Sequence, residues 1–202
     1  KQQVHNLNKG EYIMGSRRIS RKRLYQVEKQ GIAIDLESGA GIKGAIVSAT
    51  QHRQGQELIS EIAIDLGTSK SSIVAGGADG QAIGVTADGT SATYAFITQL
   101  TAAKFGNITE IRVVCVEDIS AASNGTDIDV FAAPSAADKD QGDSISGIGS
   151  VVAVFTGGAA VVKGRDDSYT TDTLAVADHY LYITDGAASA SGAVEGKLLI
   201  YI

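Results

Sequence analysis

Ile108-Thr109-Glu110-Ile111-Arg112-Val113-Val114-Cys115-Val116-Glu117 is the stretch whose reading decides the fold. Ile111, Val113 and Cys115 recur at every second position, with Glu110 and Arg112 opposite them at one end. That is the pattern of a strand with one face buried. The same alternation returns along the chain. Across residues 93–98 Tyr94 and Phe96 alternate with Ala95 and Ile97, and across 179–184 Tyr180 and Tyr182 alternate with Leu181 and Ile183. Residues 128–133, 151–155, 159–163 and 197–202 are further strand candidates. Ile32-Ala33-Ile34-Asp35-Leu36 and Ile62-Ala63-Ile64-Asp65-Leu66 nearly repeat thirty positions apart. Two copies do not make a solenoid, so both read as strands of one sheet system.

Between these runs lie clusters that suit tight turns: Ala87-Asp88-Gly89, Ser123-Asn124-Gly125-Thr126, Asp140-Gln141-Gly142-Asp143 and Asp185-Gly186. Gly and Asp accept the backbone angles that such turns demand. The chain has 24 Gly and a single Pro, Pro134, in 202 residues, and no long amphipathic helix is visible after residue 60. The sequence therefore predicts an all-β fold: a β-sandwich or jelly roll over residues 31–202.

Composition narrows the class further. Hydrophobic residues make up 44% and charged residues 20%, a globular balance with enough apolar side chains for a core. Cys115 is the only cysteine, which excludes an intramolecular disulfide and a multi-cysteine metal site, and its apolar surroundings predict a buried, inert thiol. No apolar run approaches the roughly 20 residues that span a bilayer, and the N-terminal residues lack the apolar core of a signal peptide. The expectation is a soluble chain made in a cytoplasm, with the sequons at Asn107 and Asn124 as chance matches.

The formal net charge of −6 hides an asymmetry, for residues 1–60 carry +5 and the remainder −11. The pattern is that of a basic arm, residues 1–30, attached to an acidic domain. Its densest run is Arg17-Arg18-Ile19-Ser20-Arg21-Lys22-Arg23. The arm is expected to be extended, or to form a short helix from about Arg17 to Gln30 capped by Ser16 and ended by Gly31. Ile19, Leu24, Tyr25 and Val27 give only a thin apolar stripe, too narrow to fold alone. Such a run either binds phosphates or an acidic protein surface, or is a solvated charge cluster. No interleaved aromatics support a nucleic-acid reading.

Three motifs suggest chemistry, and each has a plainer explanation. Asp65-Leu66-Gly67-Thr68-Ser69-Lys70-Ser71 resembles the phosphate turn of actin-like ATPases, but the chain lacks the alternating strands and helices of that fold. A strand followed by a polar turn accounts for it. Gly142-Asp143-Ser144-Ile145 resembles the nucleophile block of one hydrolase family, yet Asp178 adjoins His179 and so lacks the spacing of a catalytic pair. His5, His52 and His179 are scattered, and neither Asp127-Ile128-Asp129 nor Asp166-Asp167 forms a calcium loop. No catalytic residue, cofactor or metal is expected.

The order of the motifs from Gly84 onward carries a family resemblance. Gly84-Val85-Thr86-Ala87-Asp88-Gly89 leads to Thr93-Tyr94-Ala95-Phe96 and then to Ile108–Val113. Next come Asn124-Gly125-Thr126-Asp127-Ile128-Asp129-Val130, Asp178-His179-Tyr180-Leu181-Tyr182-Ile183 and the closing Gly196-Lys197-Leu198-Leu199-Ile200-Tyr201-Ile202. This order resembles virion structural proteins of tailed bacteriophages, especially marine and cyanobacterial ones, over about residues 60–202. The resemblance implies a compact β domain without catalytic residues, and it fits a capsid decoration or cement protein. The implied partners are the major capsid protein and copies of this chain, as a homotrimer if it sits at threefold positions, with no membrane and no small-molecule substrate. The implied location is the capsid surface of the virion, after synthesis in the bacterial host. The candidate partner-binding residues are those of the arm: Ile13, Met14, Arg17, Arg18, Ile19, Arg21, Lys22, Arg23, Leu24, Tyr25 and Val27. The alternative is a head-fibre or tail-associated module that recognises a host cell-surface glycan. Absence of Trp and the placing of several Tyr within strands weigh against it.

Overall fold

The computed structural model describes residues 31–42, 47–67, 73–85, 94–121, 127–134, 139–145, 147–158, 161–170, 176–186 and 191–202. The expected arm, residues 1–30, lies outside them, as do Thr68–Ser71 of the phosphate-turn motif and residues 86–93, 122–126 and 159–160 of the expected turns and strands.

The chain folds as a β-sandwich of two antiparallel sheets. Its strands are β1 (Ile32–Ala33), β2 (Val47–Gln54), β3 (Glu57–Asp65), β4 (Ile73–Gly76), β5 (Gly84–Val85), β6 (Thr98–Gln99), β7 (Glu110–Ala121), β8 (Ile128–Ala133), β9 (Val152–Thr156), β10 (Asp166–Thr170), β11 (Tyr180–Asp185) and β12 (Ser191–Tyr201). The main path of the large sheet runs β1-β2-β3-β12-β7-β10, and β4 pairs the first residues of β12 and carries β5. The small sheet runs β6-β11-β8-β9. Among the described residues the sole helix is α1 (Ala102–Phe105), and no helix there is long and apolar enough to cross a membrane.

Period-two alternation sorts the large sheet into two faces. Ile62 and Ile64 of β3, Leu198 and Ile200 of β12, and Ile111, Val113 and Cys115 of β7 are buried and turn inward. They share one core with Ile128, Val130 and Ala132 of β8 and Leu181 and Ile183 of β11. The small sheet is buried on its other face too. There Tyr182 and Ala133 pack with Ala82, Ala95 and Ile145 from the connecting segments, and Phe96 meets Tyr180 edge-on at 5.1 Å between ring centres. Burial on both faces explains why β8 and β11 read as nearly continuous apolar runs.

Two polar junctions join the sheets. Gln51 of β2 donates to the carbonyl of Lys104 in α1, directly after β6, at 2.8 Å. Lys104 in turn donates through Nζ to Leu36 O and Glu37 Oε2, both at 3.0 Å. At the second junction, the Arg165 guanidinium donates to the carbonyls of Thr156 and Gly157 beside β9, while its own carbonyl accepts from the Cys115 N–H of β7 at 2.8 Å.

Several elements differ from their sequence-based expectation. The two near-repeats do contribute strands to one sheet, but only Ile32 and Ala33 of the first pair as β1, and β2 separates it from β3. Residues 94–97 run extended beside Lys139 and Leu181, and pairing within a strand begins at Thr98. Residues 161–164 form a turn rather than a strand, with Val161 in the core.

Candidate functional site

With the small sheet covered on both faces, the outer face of the large sheet is the broad surface that the described residues leave open. Its cross-strand rows follow from the register. One row is Ser48–Ala63–Leu199–Val114–Asp166, and the next is Thr50–Glu61–Tyr201–Arg112–Ser168. Ala63, Leu199, Val114 and Val116 are half-buried, which gives the centre of the face a modest apolar stripe.

Charged groups rim that stripe. Lys197 reaches Glu117 Oε1 at 3.0 Å and Asp65 Oδ2 at 3.6 Å, so the central strand is tied to both neighbours. The hydrogen bond to Glu117, and then the two carboxylate charges, raise the Lys197 pKa. Toward the other end, the Arg112 guanidinium donates to both oxygens of Asp166. This contact holds the Asp166 carboxyl below its ordinary pKa and raises that of Arg112. Arg112 also stands 5.8 Å from the centre of the Tyr201 ring. Burial raises the Tyr201 phenol pKa, and the neighbouring Glu61 carboxylate adds to the effect. Exposed pairs of this kind add little stability each; their consequence is a fixed pattern of charge.

Between Tyr201 and the β2–β3 hairpin lies a groove of about 370 Å³, with Glu57, Leu58, Ile59 and Glu110 in its walls. Glu57 and Glu110 are exposed and form no ion pair among the described residues. His52 and Arg112 complete the lining, and because Arg112 is paired with Asp166, the two glutamates leave the groove acidic.

The other sequence candidates sit elsewhere. Asp166 and Asp167 of β10 are held by Arg112 and Arg165. Asp129 is buried, and its Oδ1 accepts the Gly157 N–H at 2.7 Å; burial raises its pKa, and Asp127 and Asp79 add to the effect. Its neighbour Asp127 is buried beside the turn at Gly186, whose N–H bonds the Asp127 carbonyl at 3.1 Å. Among the described residues no three His, Cys, Asp or Glu side chains are grouped to hold a metal. Ser144 forms an isolated bridge with Gln81, and His179 Nδ1 lies 3.0 Å from Ala177 O. Cys115 is buried, and its thiol donates to Glu117 O at 2.9 Å. Ile13, Met14, Arg17, Arg18, Ile19, Arg21, Lys22, Arg23, Leu24, Tyr25 and Val27 all lie outside the described residues.

Sequence reasoning missed the acidic groove, because its walls come from four strands. Glu57 and Ile59 do alternate along β3, but only the β3–β12–β7 register brings them to Tyr201 and Glu110. No protein-family model, no curated protein and no solved structure matches this chain.

Proposed function

We propose that this chain is a non-enzymatic virion structural protein, a capsid decoration or cement protein that attaches to the capsid through residues 1–30 and reinforces the shell. The observation that carries the reading is the joining of two unlike parts. One is a sandwich whose large sheet has an acidic outer face that the described residues leave open; the other is a preceding segment dense in Arg and Lys. A basic arm approaches an acidic lattice that would repel the domain, and apolar anchors such as Leu24 and Tyr25 then slow its release. Copies of the chain and the major capsid protein are the proposed partners, and the capsid surface is the proposed location. The glycan-binding alternative is less well supported, because Arg112 stands over the ring of Tyr201, the aromatic side chain of the groove.

The test is to mix full-length protein, a form lacking residues 1–30, and Leu24→Ala/Tyr25→Ala with undecorated capsids, then sediment them. Full-length protein is expected to co-sediment and to raise the temperature at which the shells open. Equal occupancy by the arm-deleted form would overturn the mechanism.

A further inference from the structure

We infer that the outer face of the large sheet is a docking surface for the chain's own basic segment, residues 17–25. The first argument is where the described chain begins. Gly31 has a left-handed backbone, φ +64°, and a Cβ placed on it would stand 3.2 Å from Thr50 Cβ. Thr50 projects from the outer face, opposite the inward-facing Ala49. A side chain at Gly31, where the described residues begin, would therefore lie on the outer face.

Thr50 also opens the cross-strand row that continues through Glu61, Tyr201 and Arg112. Gly31 itself lies beside the head of this row, which leads to the groove. Reach is not limiting. From β1 to β12 there are three strand spacings, roughly 14 Å, and the seven residue steps from Leu24 to Gly31 span up to about 25 Å when extended.

The second argument is complementarity. Residues 1–30 carry eight Lys or Arg against Glu11 and Glu28. The groove offers Glu57 and Glu110, unpaired among the described residues, with Glu61 alongside Tyr201. Arg112 is neutralised by Asp166, and Lys197 is outnumbered by Asp65 and Glu117. The half-buried Ile59, in phase with Glu57 and Glu61 on the outer face, supplies apolar contact for Leu24 and Tyr25. Covalent attachment supplies the rest, since a tethered segment meets its site at an effective concentration near millimolar. In the isolated protein the face and the segment cover each other; attachment to a shell requires the segment to exchange one acidic surface for another.

The experiment uses the full chain, free of capsids, so that its failure leaves the attachment test untouched. A zero-length carbodiimide cross-linker, applied to an equal mixture of ¹⁵N-labelled and unlabelled protein at low salt, is expected to join Lys22 or Lys29 to Glu57, Glu61 or Glu110 within one chain. The yield should fall several-fold in about 0.5 M salt, where charges are screened beyond a few ångströms. Cross-links to Asp35 or Asp178 in equal yield would overturn the assignment, and so would mainly mixed-isotope pairs, which would identify a second copy as the occupant. As an independent check, Glu57→Lys/Glu110→Lys should speed tryptic cleavage at Arg17–Arg23 several-fold with an unchanged melting temperature. Cleavage as slow as in the unaltered protein would also overturn it.

Discussion

The guanidinium carbon of Arg165 lies 4.8 Å from the centre of the Phe155 ring, and the same group donates to Thr156 O, Gly157 O and Asp167 Oδ2. One side chain thereby fastens β9 of the small sheet to the chain entering β10 of the large one.

Arg165→Ala is expected to destabilise the domain by about 2–3 kcal/mol, since two carbonyls lose a charged donor and an aromatic ring loses its cation. Lys retains the charge without the planar fork, so Arg165→Lys should recover less than half of that loss. Urea unfolding at constant m-value measures both.

Gly196 sits at a register irregularity of β12, with φ +124°. A Cβ there would come within 2.6 Å of Ile119 Cδ1 and 2.8 Å of Asp118 O. Gly196→Ala combines backbone strain with a steric clash and should cost at least about 2 kcal/mol. A melting temperature equal to that of the unaltered protein would refute the bulge as a requirement.

Asp129 gives a pH signature. Its folded pKa is raised above the ordinary 3.8, by burial first and then by neighbouring carboxylates. The folded state therefore binds the proton more tightly than the unfolded chain. The stabilisation is complete below about pH 3.8 and is lost as pH rises through the folded pKa. Asp129→Asn removes that dependence while its amide oxygen can still accept from Gly157. The melting-temperature difference, variant minus unaltered protein, should become more positive from pH 3.5 to pH 7. Parallel curves would refute the assignment.

Cys115 should resist thiol reagents in the folded protein. It is 2% exposed, and burial raises its pKa. Labelling by a maleimide at pH 7.5 is expected to proceed only as fast as the strand opens, orders of magnitude below the rate for a free thiol. Immediate labelling would show that β7 is open to solvent.

These positions also show which parts of the fold are legible in the sequence. β8 occupies residues 128–133 as expected, and β11 and β7 shift by only one or two residues at their starts, because each carries an uninterrupted apolar face. β10 was missed. Asp166-Asp167-Ser168-Tyr169-Thr170 has one large apolar residue, and it stays on the edge through Arg112 and its ladder to β7. β2 was missed for a similar reason: outside Val47 and Ala49, its Ser, Thr, Gln, His and Arg face solvent or the junction at Lys104. Edge and outer-face strands owe their place to partners distant in sequence, and local alternation does not record those partners. The same holds for the acidic groove, whereas the basic run of residues 17–23 is visible at once because its charges are contiguous.

The position of β12 has a consequence for synthesis. This strand, the latest in chain order among the described residues, lies between β3 and β7 and bonds both. On a ribosome, β3 and β7 emerge well before the strand that separates them, so for that interval each presents an unsatisfied edge. The large sheet can close only when β12 arrives, which makes its assembly a late, long-range event. Nascent chains arrested before residue 191 should accordingly be bound by holdase chaperones or aggregate, and emergence of residues 191–202 should convert them to protease-resistant protein in one step.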